Sequence, residues 1–111
     1  MKAKLESWLN QRITACAQRR AELNADFRQD EARFEQIREN VYGIFRSVCQ
    51  ATDGMPDTMI GHLEKIPAAW EAQHALALQH HQEDRALIER IKLETAEEIR
   101  RFVCQLKEGV H

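Results

Sequence analysis

Apolar residues recur at alternating spacings of three and four along most of this sequence, and that pattern restricts the folds it can adopt. In the first half they are Leu9, Ile13, Cys16, Leu23, Phe27, Phe34, Ile37, Val41, Ile44 and Val48. This spacing is typical of a helix that packs one narrow apolar stripe against another helix. β-Branched residues are scattered rather than alternating, so the sequence predicts no strand. We therefore expect an all-α protein.

The pattern predicts a first long helix over residues of about 3–51. A break at residues 24–26 is the main alternative, because Asp26 and Gln29 have the spacing of a capping box. The apolar spacing nevertheless continues in phase from Leu23 through Phe27 to Phe34. A broken helix usually resets its phase, so the sequence favours a continuous one.

The segment 53–57, Asp-Gly-Met-Pro-Asp, predicts the main boundary of the chain. Gly54 suits the left-handed residue after a helix end, and Pro56 cannot continue a helix. Asp57 can cap a short connecting helix over about 58–65. Pro67 suits the first turn of a helix, so we expect a kink there and a second long helix over about 67–107, ended by Gly109.

These elements predict one domain, residues 1–111, built as an antiparallel hairpin of two long helices on the order of 60–70 Å in length. The register places Val48 opposite Trp70 and Val41 opposite Leu78. Such a seam buries little surface for a chain of this size. We therefore expect two chains to pair into an elongated four-helix bundle. The residues predicted to form the central packing surface are Phe34, Ile37, Val41, Phe45, Trp70 and Leu78.

Metal binding is the first alternative hypothesis. Glu71 and His74 have the Glu-x-x-His spacing of di-iron helical bundles, which need two such motifs and two further glutamates. His81 and Asp84 share a helical face and could add imidazole and carboxylate ligands. We favour His74 on the seam with Glu71 solvated, and His81 and Asp84 as a polar layer in the seam, so we expect no cofactor.

Nucleic-acid binding is a further, less favoured alternative. The formal net charge is −2, and acidic and basic residues are interspersed. Basic residues gather toward one end of the predicted hairpin, but glutamates lie among them and no helix-turn-helix spacing is present. This balance provides no overall field that would steer a polyanion to the protein.

Catalysis has less support still. Cys16, Cys49 and Cys104 show no Cys-x-x-Cys spacing, and each lies on or beside an apolar stripe, so we expect small buried hydrophobes. The predicted register brings Cys16 opposite Cys104, and whether these two ever pair stays open. The sequence contains no glycine-rich phosphate loop and no nucleophile elbow. We expect that the protein is not an enzyme.

The leading functional hypothesis is a non-enzymatic interaction or scaffold protein that acts as a homodimer, with another protein as a further partner. No run of about 18 apolar residues occurs, so we expect no membrane partner. The amino-terminal residues lack the apolar core of a signal peptide, and this favours a cytoplasmic location. No motif carries a resemblance to a characterised family, and the residues name neither a pathway nor a partner.

Overall fold

In a computed structural model that describes residues 2–109, the chain folds into four α-helices. These are α1 (Lys2–Ala25), α2 (Gln29–Ala51), α3 (Pro56–Gln79) and α4 (Glu83–Glu108). Within this described range the secondary structure is helical apart from short turns, and no strand is present. The prediction of an all-α protein is confirmed.

The four helices form two antiparallel hairpins. In the first hairpin, the Lys2 ammonium donates to the Thr52 carbonyl at 3.0 Å, and Arg20 pairs with Glu39 at 3.1 Å nearer the turn. In the second hairpin, Lys107 pairs with Asp57 at 2.7 Å beside the start of α3. Each helix packs mainly against the other helix of its own hairpin.

The two hairpins pack against each other through α2 and α4, which run parallel. Phe34 and Ile88 line one groove near the start of these helices. Farther along both helices, the Tyr42 hydroxyl donates to the Glu98 carboxylate at 2.9 Å. Because Phe34 precedes Tyr42 and Ile88 precedes Glu98, the helices point in the same direction.

The second hairpin repeats the first, with His81 in its turn 54 residues after Phe27 in the other turn. Buried residues recur at the same interval. The matched pairs are Leu5 and Met59, Leu9 and Leu63, Leu23 and Ala77, Ala32 and Ala86, Phe45 and Ile99, and Cys49 and Val103. The bundle therefore has an internal pseudo-twofold relationship that the sequence pattern did not reveal.

Both hairpin turns use the same hydrogen bonds. The Arg28 amide donates to the Leu23 carbonyl at 2.8 Å, and the Gln82 amide donates to the Ala77 carbonyl at 2.8 Å. This bond from the third residue beyond a helix to its third-last residue defines a Schellman motif, which requires a left-handed conformation at the second residue beyond the helix. Phe27 and His81 occupy that position, with φ of 58° and 57°.

These turns overturn the prediction of one continuous helix over 3–51. The helix ends at Ala25 and a new one begins at Gln29. The apolar spacing stays in phase across the break, because the three-residue turn directs the apolar face of α2 toward α1. Continuous apolar spacing therefore does not require a continuous helix. Asp26 is also not the cap of α2, since Arg28 holds that position without a side-chain hydrogen bond.

The predicted division into a short helix over 58–65 and a long helix over 67–107 is wrong as well. Pro67 lies buried inside α3, which runs from Pro56 to Gln79 before the chain turns at residues 80–82. An interior proline costs a helix about 3 kcal/mol. Burial of the Pro67 ring, at the position that Ile13 holds in the first repeat, offsets part of this cost.

The connection between the hairpins follows the predicted chemistry more closely. Gly54 has a φ of 65°, and its amide donates to the Thr52 hydroxyl at 3.2 Å. The carboxylate that accepts an amide near the start of α3 belongs to Asp53, whose Oδ1 lies 3.0 Å from the Met55 nitrogen. Asp57, which was expected in that role, lies in the first turn of α3.

The main core lies in the half of the bundle that contains the start of α1, the connection and the end of α4. Its fully buried large side chains are Leu5, Leu9, Val41, Phe45, Cys49, Met59, Ile99, Val103 and Leu106. The longest extent is 39 Å, well short of the predicted hairpin. One chain thus supplies the four helices that the sequence pattern led us to expect from two.

Candidate interaction surface

The two hairpin turns lie at the same end of the bundle, because α2 and α4 are parallel and both begin there. We call this the turn end: residues 26–28 and 80–82 with the adjoining helix termini. Across residues 2–109, five large apolar side chains are exposed, and three of them lie at this end. They are Phe27, which is 89% exposed, Leu78, which is 57% exposed, and Leu76, which is 46% exposed.

Phe27 combines an exposed ring with an unfavourable backbone conformation. The left-handed region costs a residue with a side chain roughly 1–2 kcal/mol, and glycine usually fills this position of a Schellman motif. The exposed ring recovers little of that cost from contacts within the chain. Residues held in such conformations cluster at functional sites. This turn therefore marks the turn end as a candidate binding surface.

A half-enclosed groove of about 190 Å³ opens between α2 and α4 at the turn end. Phe34, Leu87 and Ile88 supply its apolar lining. Asp30 and Asp84, which occupy matching positions in the two hairpins, line it together with Arg33. The groove thus combines three apolar and three charged side chains.

Deeper in each hairpin, matching acid–base pairs lie beside the helix seam. Glu35 pairs with Arg38 at 2.8 Å, and Glu89 pairs with Lys92 at 3.2 Å at the equivalent positions of the second hairpin. Glu89 is buried, and its Oε2 has no hydrogen-bond partner. The polar layer was predicted at His81 and Asp84 instead, and these two residues lie exposed at the turn end.

The cysteines lie where the apolar stripe placed them, with Cys16 and Cys49 buried and Cys104 partly exposed, and all three are free thiols. Burial, followed by the nearby Glu35 carboxylate, raises the pKa of Cys16 to about 12. Burial also raises the pKa of Cys49. Since the thiolate is the nucleophilic and metal-binding form, these two side chains are held in their inert state at neutral pH.

An aromatic and ionic network at the opposite half of the bundle joins α1, α2 and α4. Trp8 stacks on Phe102 with ring centroids 4.4 Å apart, and Arg12 pairs with Glu98 at 3.0 Å. Glu98 also accepts the Tyr42 hydroxyl, and burial followed by this hydrogen bond raises the pKa of Tyr42 above its usual range.

Arg12 and Glu98 correspond in the repeat to Ile66 and Ile44, which carry no charge. The network therefore distinguishes the contact of α1 with α4 from that of α3 with α2.

The residues of the metal hypothesis are spread over α3, a turn and α4. Glu71 is exposed and His74 half-buried on α3, whereas His81 lies in the second turn and Asp84 in the first turn of α4. His81 and Asp84 line one shallow depression. In the part of the chain that the structure describes, no three His, Cys, Asp or Glu side chains are grouped so that they could hold a metal ion.

The residues predicted to form the packing surface have several different environments. Val41 and Phe45 are buried in the core of the single chain, and Trp70 packs against that core. Ile37 is half-buried on α2. Phe34 lines the groove and Leu78 is exposed, so these two lie at the turn end.

Phe27 was missed as a surface residue because the apolar spacing assigned it to the buried stripe. The signal that could have found it is the internal repeat, which aligns Phe27 with the polar His81.

Comparison of this chain with models of known protein families, with curated proteins and with solved structures found no match. Among the four helices as described, none has both the length and the apolar character needed to cross a bilayer.

Proposed function

We propose that this chain is a non-enzymatic interaction protein that acts as a homodimer and binds its second copy through the turn end. The observation that carries the proposal is Phe27, an aromatic side chain that is both 89% exposed and held in a left-handed conformation. Aromatic side chains at interfaces provide large buried area at low entropic cost. A partner that covers Phe27 would give this position a stabilising contact that the single chain lacks.

The distribution of chemistry along the chain supports a binding role over a catalytic one. The buried thiols of Cys16 and Cys49 have raised pKa values. The buried carboxylate of Glu89 is paired with Lys92 inside its own hairpin. The groove at the turn end is lined by three apolar and three charged side chains. Protein interfaces combine apolar and polar groups in this way.

The size of the turn end limits the strength of the contact. The two shorter extents of the bundle are 35 and 24 Å. An end face of that size is comparable to the ~800 Å² per partner of a standard interface and cannot greatly exceed it. We therefore expect a dimer that dissociates on dilution rather than an obligate one.

Multi-angle light scattering coupled to size exclusion tests the proposal. We expect twice the mass of one chain at high protein concentration and a fall toward the mass of one chain on dilution. A mass of one chain throughout, up to the highest concentration that stays soluble, would contradict the homodimer. Repeating the measurement at several salt concentrations separates an apolar contact from an ionic one, since exposed ion pairs weaken with salt.

A further inference from the structure

We propose that the dimer forms by reciprocal insertion, in which Phe27 of each copy enters the groove between α2 and α4 of the other. This inference rests on the homodimer proposed above and names the residues that make the contact. The inserting ring projects from the first turn. The receiving groove is lined by Phe34, Leu87 and Ile88 at the same end of the bundle.

The dimensions of the groove suit a single aromatic ring. Its volume is about 190 Å³. A closed cavity of about 150 Å³ is known to accept benzene, so a phenyl group fits, whereas a helix does not. Phe34 offers an aromatic partner for the entering ring, and such pairs are favourable beyond the area that they bury. The groove therefore selects a protruding side chain as its occupant.

A second copy supplies that side chain in the required geometry. A twofold contact needs the inserting group and the receiving site on one surface of the same molecule. The turn end carries both, since Phe27 lies two residues before the start of α2 and the groove begins at the first turns of α2 and α4. Two chains then satisfy both contacts. No unoccupied groove and no exposed Phe27 ring remain to bind a third chain.

Charges around the two elements are also complementary. Asp26 and Arg28 flank Phe27, and Arg28 is paired with Glu31 on its exposed surface. The groove is lined by the carboxylates of Asp30 and Asp84 together with the guanidinium of Arg33. Both surfaces therefore carry charges of both signs, so opposite charges are available to pair across the contact and to favour one orientation.

The variant Phe27→Gly tests the insertion without the ambiguity of a misfolded protein. Glycine is the preferred residue at this backbone conformation, so the variant keeps its turn while losing the ring. Because each dimer loses two rings, we expect the dissociation constant to rise by about 100-fold in sedimentation equilibrium. The matched control is Met55→Ala, which removes another exposed apolar side chain at the opposite end of the bundle and should leave the dissociation constant within about twofold of wild type.

A photo-crosslinker locates the contact directly. Benzoylphenylalanine at position 27 should crosslink the purified protein into dimers, with the attachment on the partner's segment 87–88 or beside its Phe34. Attachment at another segment would overturn the insertion, and so would a Phe27→Gly variant that dimerises like wild type. In these two cases the homodimer itself stands. A wild-type protein that stays monomeric, or a position 27 that crosslinks only to a different protein in cell extract, overturns both the insertion and the homodimer.

Discussion

Replacing Phe27 with glycine should make the isolated chain more stable, although it removes an aromatic side chain. The left-handed conformation at φ of 58° costs a residue with a side chain about 1–2 kcal/mol, and glycine avoids that cost. Glycine has greater conformational freedom in the unfolded chain, and this reduces the gain in stability by about 0.5–1 kcal/mol. The ring is 89% exposed, so its loss should lower the free energy of unfolding by only about 0.3 kcal/mol. We expect a net stabilisation of about 0.5 kcal/mol.

Two further variants check the backbone explanation. His81→Gly should stabilise the chain by a similar amount, because His81 has nearly the same φ of 57° in the equivalent turn. Phe27→Val should destabilise it by about 1 kcal/mol, since a β-branched side chain tolerates positive φ poorly. The expected order of stability at position 27 is therefore glycine, then phenylalanine, then valine.

The assay is urea unfolding followed by far-ultraviolet circular dichroism, at a protein concentration where the chain is monomeric. Low concentration matters because dimer formation would itself stabilise the wild type. The fluorescence of Trp8 and Trp70 gives a second, independent probe of the transition. The predicted gain corresponds to a rise in melting temperature of about 2 °C. If Phe27→Gly is less stable than wild type while His81→Gly is more stable, the ring has a structural role within the chain and the reasoning above is wrong.

Three other substitutions test other parts of the structure. Gly54→Ala should lower the free energy of unfolding by at least about 1 kcal/mol, because the added Cβ would lie 2.7 Å from the Lys2 Cγ at a residue with a φ of 65°. The control Gly109→Ala has a φ of 76° but lies in open space, so it should cost less in the same urea titration. Phe45→Ala should cost about 3–5 kcal/mol, since Phe45 is fully buried in the core, and calorimetry should show a correspondingly lower melting temperature. The raised pKa of Cys16, about 12, means that the unfolded chain loses this proton at lower pH than the folded chain, so stability should fall as pH rises from about 9 toward 12. Cys16→Ala should reduce that slope in urea titrations at several alkaline pH values, and an unchanged slope would contradict the assignment.

The helical class and two glycine-dependent chain breaks were accessible from the sequence. Gly54 and Gly109 take the left-handed conformations that their positions predicted. Both chain breaks follow from the local preference of glycine for the left-handed conformation. The turns at Phe27 and His81 have no such local signature, because the packing of one helix against the next imposes positive φ on residues that do not favour it.

The predicted pairing of residues between helices was wrong for the same reason. Once two turns were missed, the chain was treated as two long helices instead of four short ones, and residues such as Val48 and Trp70 were placed opposite each other. Pro67 added a boundary that burial inside α3 removes. Of the predicted packing surface, Phe34 and Leu78 lie at the turn end. Phe27 is exposed because it lies in a turn, and the continuous apolar spacing gave no sign of that turn.

The placement of the chain connections gives the molecule two different ends. The start of α1 near Lys2, the connection around Gly54 and the end of α4 near Lys107 lie together, as the contacts of Lys2 with Thr52 and of Lys107 with Asp57 show. The opposite end consists only of the two reversing turns. A pair of molecules joined turn to turn would therefore carry its lysine-bearing ends at opposite poles, on the order of twice the 39 Å length apart. Labels or cargo attached near those poles would be held at a distance set by the bundle itself.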